Sequence, residues 1–214
     1  HYTAEEMRAG IAEAQRFHKT TASHAQGTEG ILNAVRGGVT SIEHGIFMTD
    51  EAIGEMRTRG TWLVPTLAAL VHILRGADAG DASIPPYVIE KSRRMAERHV
   101  QSIKMYYEAG CKIAMGTDAG TPYNRHGDNA LELEFMCDIG ISARDSLFFS
   151  TASAADLMRL ADHGRLKDGN IADLVVTNGD PLTDIRMAAR KENHLMVIKR
   201  GQIARDNRAA FDNA

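Results

Sequence analysis

Gly116-Thr117-Asp118-Ala119-Gly120 follows directly on the short apolar run Ile113-Ala114-Met115. A carboxylate between small residues, at the C-terminal end of a buried strand, stands where parallel α/β proteins place their chemistry. Two earlier stretches end the same way on a histidine: Thr21-Ala22-Ser23-His24-Ala25 and Thr40-Ser41-Ile42-Glu43-His44-Gly45. Three strand ends therefore offer His24, His44 and Asp118, a set able to hold a divalent metal and to move protons on its bound water.

Outward from these strand ends the chain alternates. Thr3 and Glu6 form a capping box for a helix running to about Phe17. The strand ending at His24 precedes a helix over 28–36, closed by Gly37-Gly38. After the strand over 39–43, Thr49 caps a helix over 50–59 and Gly60 ends it. Trp62-Leu63-Val64-Pro65 is a third strand, followed by a polar loop from Gly76 to Pro86 and a long helix from about Tyr87 to Glu108. Residues 112–116 are the fourth strand, 121–129 a loop, and 131–138, 142–151 and 154–160 are helices. Such alternation predicts a parallel sheet with crossover helices, as in a (β/α) barrel, but with four of the eight strands a closed barrel needs. After Gly164 the texture changes to short strands with glycine turns, which predicts a small β appendage.

A chain of 214 residues, 43% hydrophobic, is long enough for a sizeable core. A net charge of -3 argues against nucleic acid as a partner, and no apolar stretch is long enough for a membrane span. Cys111 and Cys137 read as buried thiols of a cytoplasmic protein rather than as a disulfide. The first residue is His1, almost at the start of a helix, so the chain is expected to be a fragment.

The stretches Ser23-His24-Ala25-Gln26-Gly27, Gly38-Val39-Thr40-Ser41-Ile42-Glu43-His44-Gly45 and Gly116-Thr117-Asp118-Ala119-Gly120 resemble the metal-dependent amidohydrolase superfamily. So do residues 164–176 and Gly179-Asp180-Pro181-Leu182 in the tail. Within it the chain is most similar to the prolidase-like and imidazolonepropionase-like branch. The resemblance implies an α/β fold: the C-terminal half, strands five to eight, of a (β/α)8 TIM-like barrel over residues 1–163. A small β-sandwich appendage over 164–214 completes it. It implies that His24 and His44 bind metal, one or two divalent ions such as zinc. Asp118 would bind metal and take the proton from the attacking water, with His44 also in the catalytic set. Family members also carry a His-X-His pair on strand one and often a carboxylated Lys on strand four. This chain has no His-X-His and starts after the place for that Lys, so it holds about half of the implied ligands.

Gln26 lies two residues beyond His24 on the same face, where many relatives have His, and is a candidate for choosing substrate. Tyr123, Arg125 and His126 sit in the loop after the Asp118 strand; Arg125 and His126 are candidates to pair with a substrate carboxylate. Glu43, beside His44, points the other way along its strand and is structural or a partner of a ligand. His72, His99, His163 and His194 lack strand-end context and read as surface or core histidines, so His99→Ala is expected to change little. On the long helix, Met95, Val100, Ile103, Tyr106 and Tyr107 form the core stripe, and Arg93, Arg94, Arg98 and Lys104 the solvated face.

The first functional expectation is hydrolysis of an amide C–N bond of a dipeptide or N-acyl amino acid. A cyclic-amide hydrolase or deaminase of the same superfamily is the second. The relatives of that kind carry Glu three residues after the strand-five His, where this chain has Gly27. The third is an inactive piece serving structure or assembly. A half barrel leaves strand edges and an apolar interior open, so a homo-oligomer or the missing N-terminal half is expected to cover it.

Overall fold

The computed structural model describes residues 2–80 and 85–211. They form two compact units, His1–Arg125 and His126–Ala214. This division follows packing; the division at 163/164 follows a change in sequence texture, and the two address different properties.

The first unit is built on a parallel sheet of β1 (Ala22–Ala25), β2 (Ser41–His44) and β3 (Trp62–Val64), in that order. The expected fourth strand contributes one parallel bridge, Leu63 to Ile113, made by Leu63 N to Lys112 O at 2.9 Å and Ala114 N to Leu63 O at 3.0 Å. Helices α1 (Ala4–Arg16), α2 (Thr28–Gly37) and α3 (Asp50–Arg59) stand where their caps place them. Thr3 and Glu6 make the reciprocal capping box, Thr49 accepts from Ala52 N, and Gly38 and Gly60 close α2 and α3 in the left-handed region. Ile31, Ala34, Ile42, Leu63, Ile103 and Ile113 are wholly buried and join helices to sheet.

A helix without a sequence signal of its own, α4 (Leu67–Asp78), follows β3. It takes in Gly76–Asp78 of the expected loop, and residues 81–84 of that loop lie outside the described residues. The next helix, α5 (Pro86–Glu108), starts with Pro at its first position, where the missing N–H has no helical partner to lose. Its buried row is Ser92, His99, Ser102, Ile103 and Tyr106. The core stripe is thus more polar than expected, and Met95, Val100 and Tyr107 are half-buried.

The second unit holds α6 (Leu131–Asp138), α7 (Ala143–Ser150), α8 (Ala152–Leu157), β4 (Leu174–Thr177), α9 (Arg186–Ala189), β5 (His194–Lys199) and β6 (Gln202–Asp206). The β appendage is one antiparallel sheet in the order β4-β5-β6. Arg190, just past α9, forks onto Glu134 of α6 at 2.9 and 2.8 Å. Asp173 shapes a turn, accepting from Arg200 N at 2.7 Å and Lys199 Nζ at 2.9 Å. Both cysteines are free and only partly buried. No helix among the described residues is long and apolar enough to cross a membrane.

Candidate active site at the strand ends

In a parallel sheet, paired residues point to the same side. The register sets His24 opposite Glu43 and Ala25 opposite His44. Extended backbone would therefore turn the His44 ring away from His24. Yet the two ring centroids lie 5.0 Å apart, tilted by 48°. The backbone of His44 resolves this: its φ is 73°, so the strand ends there and the ring swings toward its neighbour. Gly45 continues the left-handed turn with φ 64°.

Three successive strand ends share this conformation. His44 after β2, Thr66 after β3 (φ 54°) and Asp118 after the fourth strand position (φ 54°) are all non-glycine residues at positive φ. Such residues cost on the order of 1–3 kcal/mol each and persist where their surroundings hold them, commonly at functional sites. The Asp118 turn is held by Asn124. Its Nδ2 donates to Thr117 O at 2.6 Å and Asp118 O at 3.1 Å, and its carbonyl accepts from Gly120 N at 2.8 Å.

Thr66 touches the ring of His44 and favours one of its tautomers. Its hydroxyl donates to Pro65 O at 2.6 Å, and His44 Nδ1 lies 2.6 Å from the same Oγ1. A hydroxyl has one hydrogen, so with that hydrogen on Pro65 it accepts from His44. Nδ1 then carries the proton, and Nε2 keeps its lone pair for a metal or a substrate. Burial pushes the imidazolium form of His44 down, the neighbouring His24 adds to this, and Asp118 opposes it. Burial also pushes the Glu43 carboxyl up, Ser41 and His24 pull it back, and Asp118 raises it again. Ser41 Oγ donates to Glu43 at 2.6 Å. Electrostatically, His24, Glu43, His44 and Asp118 thus form one neighbourhood.

His99 and α5 hold the turn that carries His44. His99 Nε2 is 2.9 Å from His44 O, Ser102 Oγ donates to Ile46 O at 2.7 Å, and Met48 N donates to Ser102 Oγ at 3.1 Å. Arg98 donates to Met48 O at 2.7 Å, so it belongs to this fastening and not to the solvated face. His99 is 1% exposed, and burial holds its pKa down at about 4 despite the His44 and Pro65 carbonyls nearby. The ring is neutral, and Nδ1 has no well-aligned hydrogen-bond partner. The small effect expected of His99→Ala does not fit a ring buried against the His44 carbonyl.

A cavity of about 830 Å³ opens beside His24. Gln26 and Phe47 line it from the sheet side, together with the start of α2, where Gly27 supplies no side-chain cap. Thr28 Oγ1 donates to Phe47 O at 2.7 Å and pins that wall. Tyr123 packs its ring over Gly76 of α4. Arg125 and His126 are exposed, at the last position of the first unit and the first of the second. The structure thus brings together His24, His44 and Gln26, with Asp118 in electrostatic reach of His44. Thr66, Asn124, Ser102 and His99 are functional supports that sequence reasoning missed. The one signal for Thr66 was its place at the end of a third strand.

The residue types are those that can bind a divalent ion: two neighbouring imidazoles and a carboxylate in electrostatic reach. Among the described residues, however, no three His, Cys, Asp or Glu side chains come together closely enough to hold one.

The sequence pattern of the amidohydrolase family matches residues 1–204. The chain is similar to ochratoxinase of Aspergillus niger, with 26% identity over 205 residues, 94% of this chain and 41% of that protein. Among solved structures it is similar to a Xaa-Pro dipeptidase with methionine bound in the active site. Identity there is 35% and the TM-score 0.84, over 94% of this chain and 48% of that one. It is also similar to a prolidase complexed with N-methylphosphonate-L-proline, with 28% identity and a TM-score of 0.86 over 96% of this chain and 50% of that one. The chain therefore spans about half the length of the relatives it matches. The α/β architecture is that of a partial barrel of this kind.

Proposed function

The chain belongs to the amidohydrolase family, and from that membership we propose that it serves the hydrolysis of an amide C–N bond. The substrate in this reading is a dipeptide or an N-acyl amino acid. The observation that carries the reading is the His24–His44 pair, drawn together by the backbone of His44, with the Thr66 hydroxyl against Nδ1. The similarity to a Xaa-Pro dipeptidase and to ochratoxinase supports the bond class.

His24, His44 and Asp118 would hold a divalent ion, zinc in the first instance. When bound, it would supply a Lewis acid for the carbonyl and a water acidic near neutral pH. Asp118 accepts a proton from the attacking water and passes it to the leaving nitrogen, so the amide leaves as an amine. Thr66 holds His44 in one tautomer throughout, and α5 holds the turn that aims it. Gln26 contacts the substrate next to His24, and Tyr123 and Arg125 complete the substrate side. Further barrel strands, and any further ligands, come from a second copy of the chain or from a missing N-terminal half; the edge position of β1 supports this. A cytoplasmic location is supported by the two free cysteines.

The test is turnover of N-acyl amino acids and dipeptides under saturating zinc, with bound metal measured in parallel, on this chain and on a longer version that includes upstream sequence. Asp118→Asn should cut the rate of the competent form by roughly 10²–10⁴-fold with the fold intact. Full activity in that variant, with normal metal content, would refute the role of Asp118.

A further inference from the structure

The N-terminal part of α5 lines the cavity beside His24 with Lys91, Arg94 and Met95. Lys91, Arg94 and Met95 stand at i, i+3 and i+4, so they share one helix face. That face continues, one turn on, through Arg98, His99 and Ser102, the residues fastened to the turn after β2. The two cations are therefore mounted on a helix whose next turn is locked to the His44 turn. Lys91 has no ion-pair partner among the described residues, and the pairing of Arg94 with Glu90 is long, 3.8 Å, between side chains that are both about three-quarters exposed. Both charges are available to a ligand, since such an exposed pair adds little. Met95 and Phe47 line the same cavity, the latter 39% exposed although a large apolar ring. Glu29 lines the α2 side of the cavity, which directs an anion toward the α5 wall. A volume of about 830 Å³ suits a small molecule.

We propose that Lys91 and Arg94 bind the carboxylate of the substrate while Phe47 and Met95 cover its apolar body, so that the cavity beside His24 selects acidic, apolar amides. This rests on the reading of the strand ends as the substrate site. It places the carboxylate on α5 and not on the Arg125–His126 loop.

The experiment is calorimetric titration of the 214-residue chain with 3-phenylpropanoate and with 3-phenylpropan-1-ol. The two probes have the same apolar body, and neither has a C–N bond to cleave, so the result does not depend on hydrolysis. The acid should bind at least about tenfold more tightly than the alcohol, a preference that shrinks with added salt. Lys91→Gln with Arg94→Gln should reduce the preference below about twofold and leave the alcohol's affinity unchanged; both side chains are exposed, so folding is preserved. Arg93→Gln, which breaks an exposed pair with Asp78, is the control and should keep the preference. Equal binding of the two probes, binding of neither, or a preference that survives the double variant and falls with Arg125→Gln and His126→Gln would overturn the proposal. Turnover of neutral and acidic amides with equal kcat/KM would leave the hydrolase reading standing and remove this one.

Discussion

Replacing Thr66 by Val removes the hydroxyl and keeps the branched shape of a 3% exposed side chain. The protonated Nδ1 of His44 then faces a methyl group instead of an acceptor 2.6 Å away. A buried donor left without its partner costs about 1–3 kcal/mol. With a urea m-value of about 2 kcal/mol/M, as for a small protein, the denaturation midpoint should fall by about 0.5–1.5 M. His44 can escape part of this cost by moving its proton to Nε2, but that blocks the nitrogen that the proposed metal would use. Zinc affinity should therefore fall by about 10–100-fold, the usual effect of removing a partner that orients a ligand. Thr66→Ser restores the hydroxyl and should restore both properties, which separates loss of the hydrogen bond from altered packing. The assays are urea denaturation and zinc competition against a chromophoric chelator, with the His44 tautomer read from ring nitrogen shifts. If Thr66→Val kept both its midpoint and its zinc affinity, the hydroxyl would not fix the His44 tautomer and that assignment would be withdrawn.

Three further outcomes are expected. His99→Ala should cost about 2–4 kcal/mol in urea denaturation, because it opens a cavity and strips the His44 carbonyl of a buried partner; a loss below about 1 kcal/mol would show the ring to be dispensable. Gly116→Ala should cost about 1–3 kcal/mol, since a Cβ there would collide with Cγ1 of buried Val64; in a double-mutant cycle, Val64→Ala should recover part of the loss, and strict additivity would count against the collision. The Arg208 side chain and backbone N–H hold Asp206 down at about 2 from an ordinary 3.8. A depressed carboxylate contributes stability that is present above its unfolded value and lost as pH falls through its folded one, so the C-terminal turn should loosen between about pH 4 and pH 2. Carboxyl chemical shifts of Asp206 test this, and Arg208→Gln should move the midpoint back toward 3.8.

Much of the fold was legible because helix ends carry local chemistry. Thr3 with Glu6, Thr49, Gly38 and Gly60 each satisfy or terminate a backbone that their own side chain, or the lack of one, can reach. The helix α4 escaped because Leu67-Ala68-Ala69-Leu70-Val71 is apolar without a period, and the hydroxyl of Thr66 before it is spent on Pro65 and His44 rather than on a cap. The strand ends were legible as positions, since small residues flank each polar one. The directions of the side chains were not: the swing of His44 depends on a φ of 73°, which alternation along a strand does not encode. The α5 supports were hidden for another reason. Ser102 and His99 look like polar-face residues until their partners, 54 to 56 positions earlier, are folded against them.

That separation has a consequence for how the protein matures. The turn at His44–Met48 draws its hydrogen bonds from a helix made some fifty residues later in the chain. Sheet and early helices can form during synthesis as soon as β3 is available, but the histidine pair stays unaligned until α5 has docked. Closing so long a loop is slow and is rewarded only at its end. The turn after β2 is thus fastened after most of the sheet is already in place. Amides of Ile46 and Met48 should gain exchange protection together with α5 and not with the strand they follow.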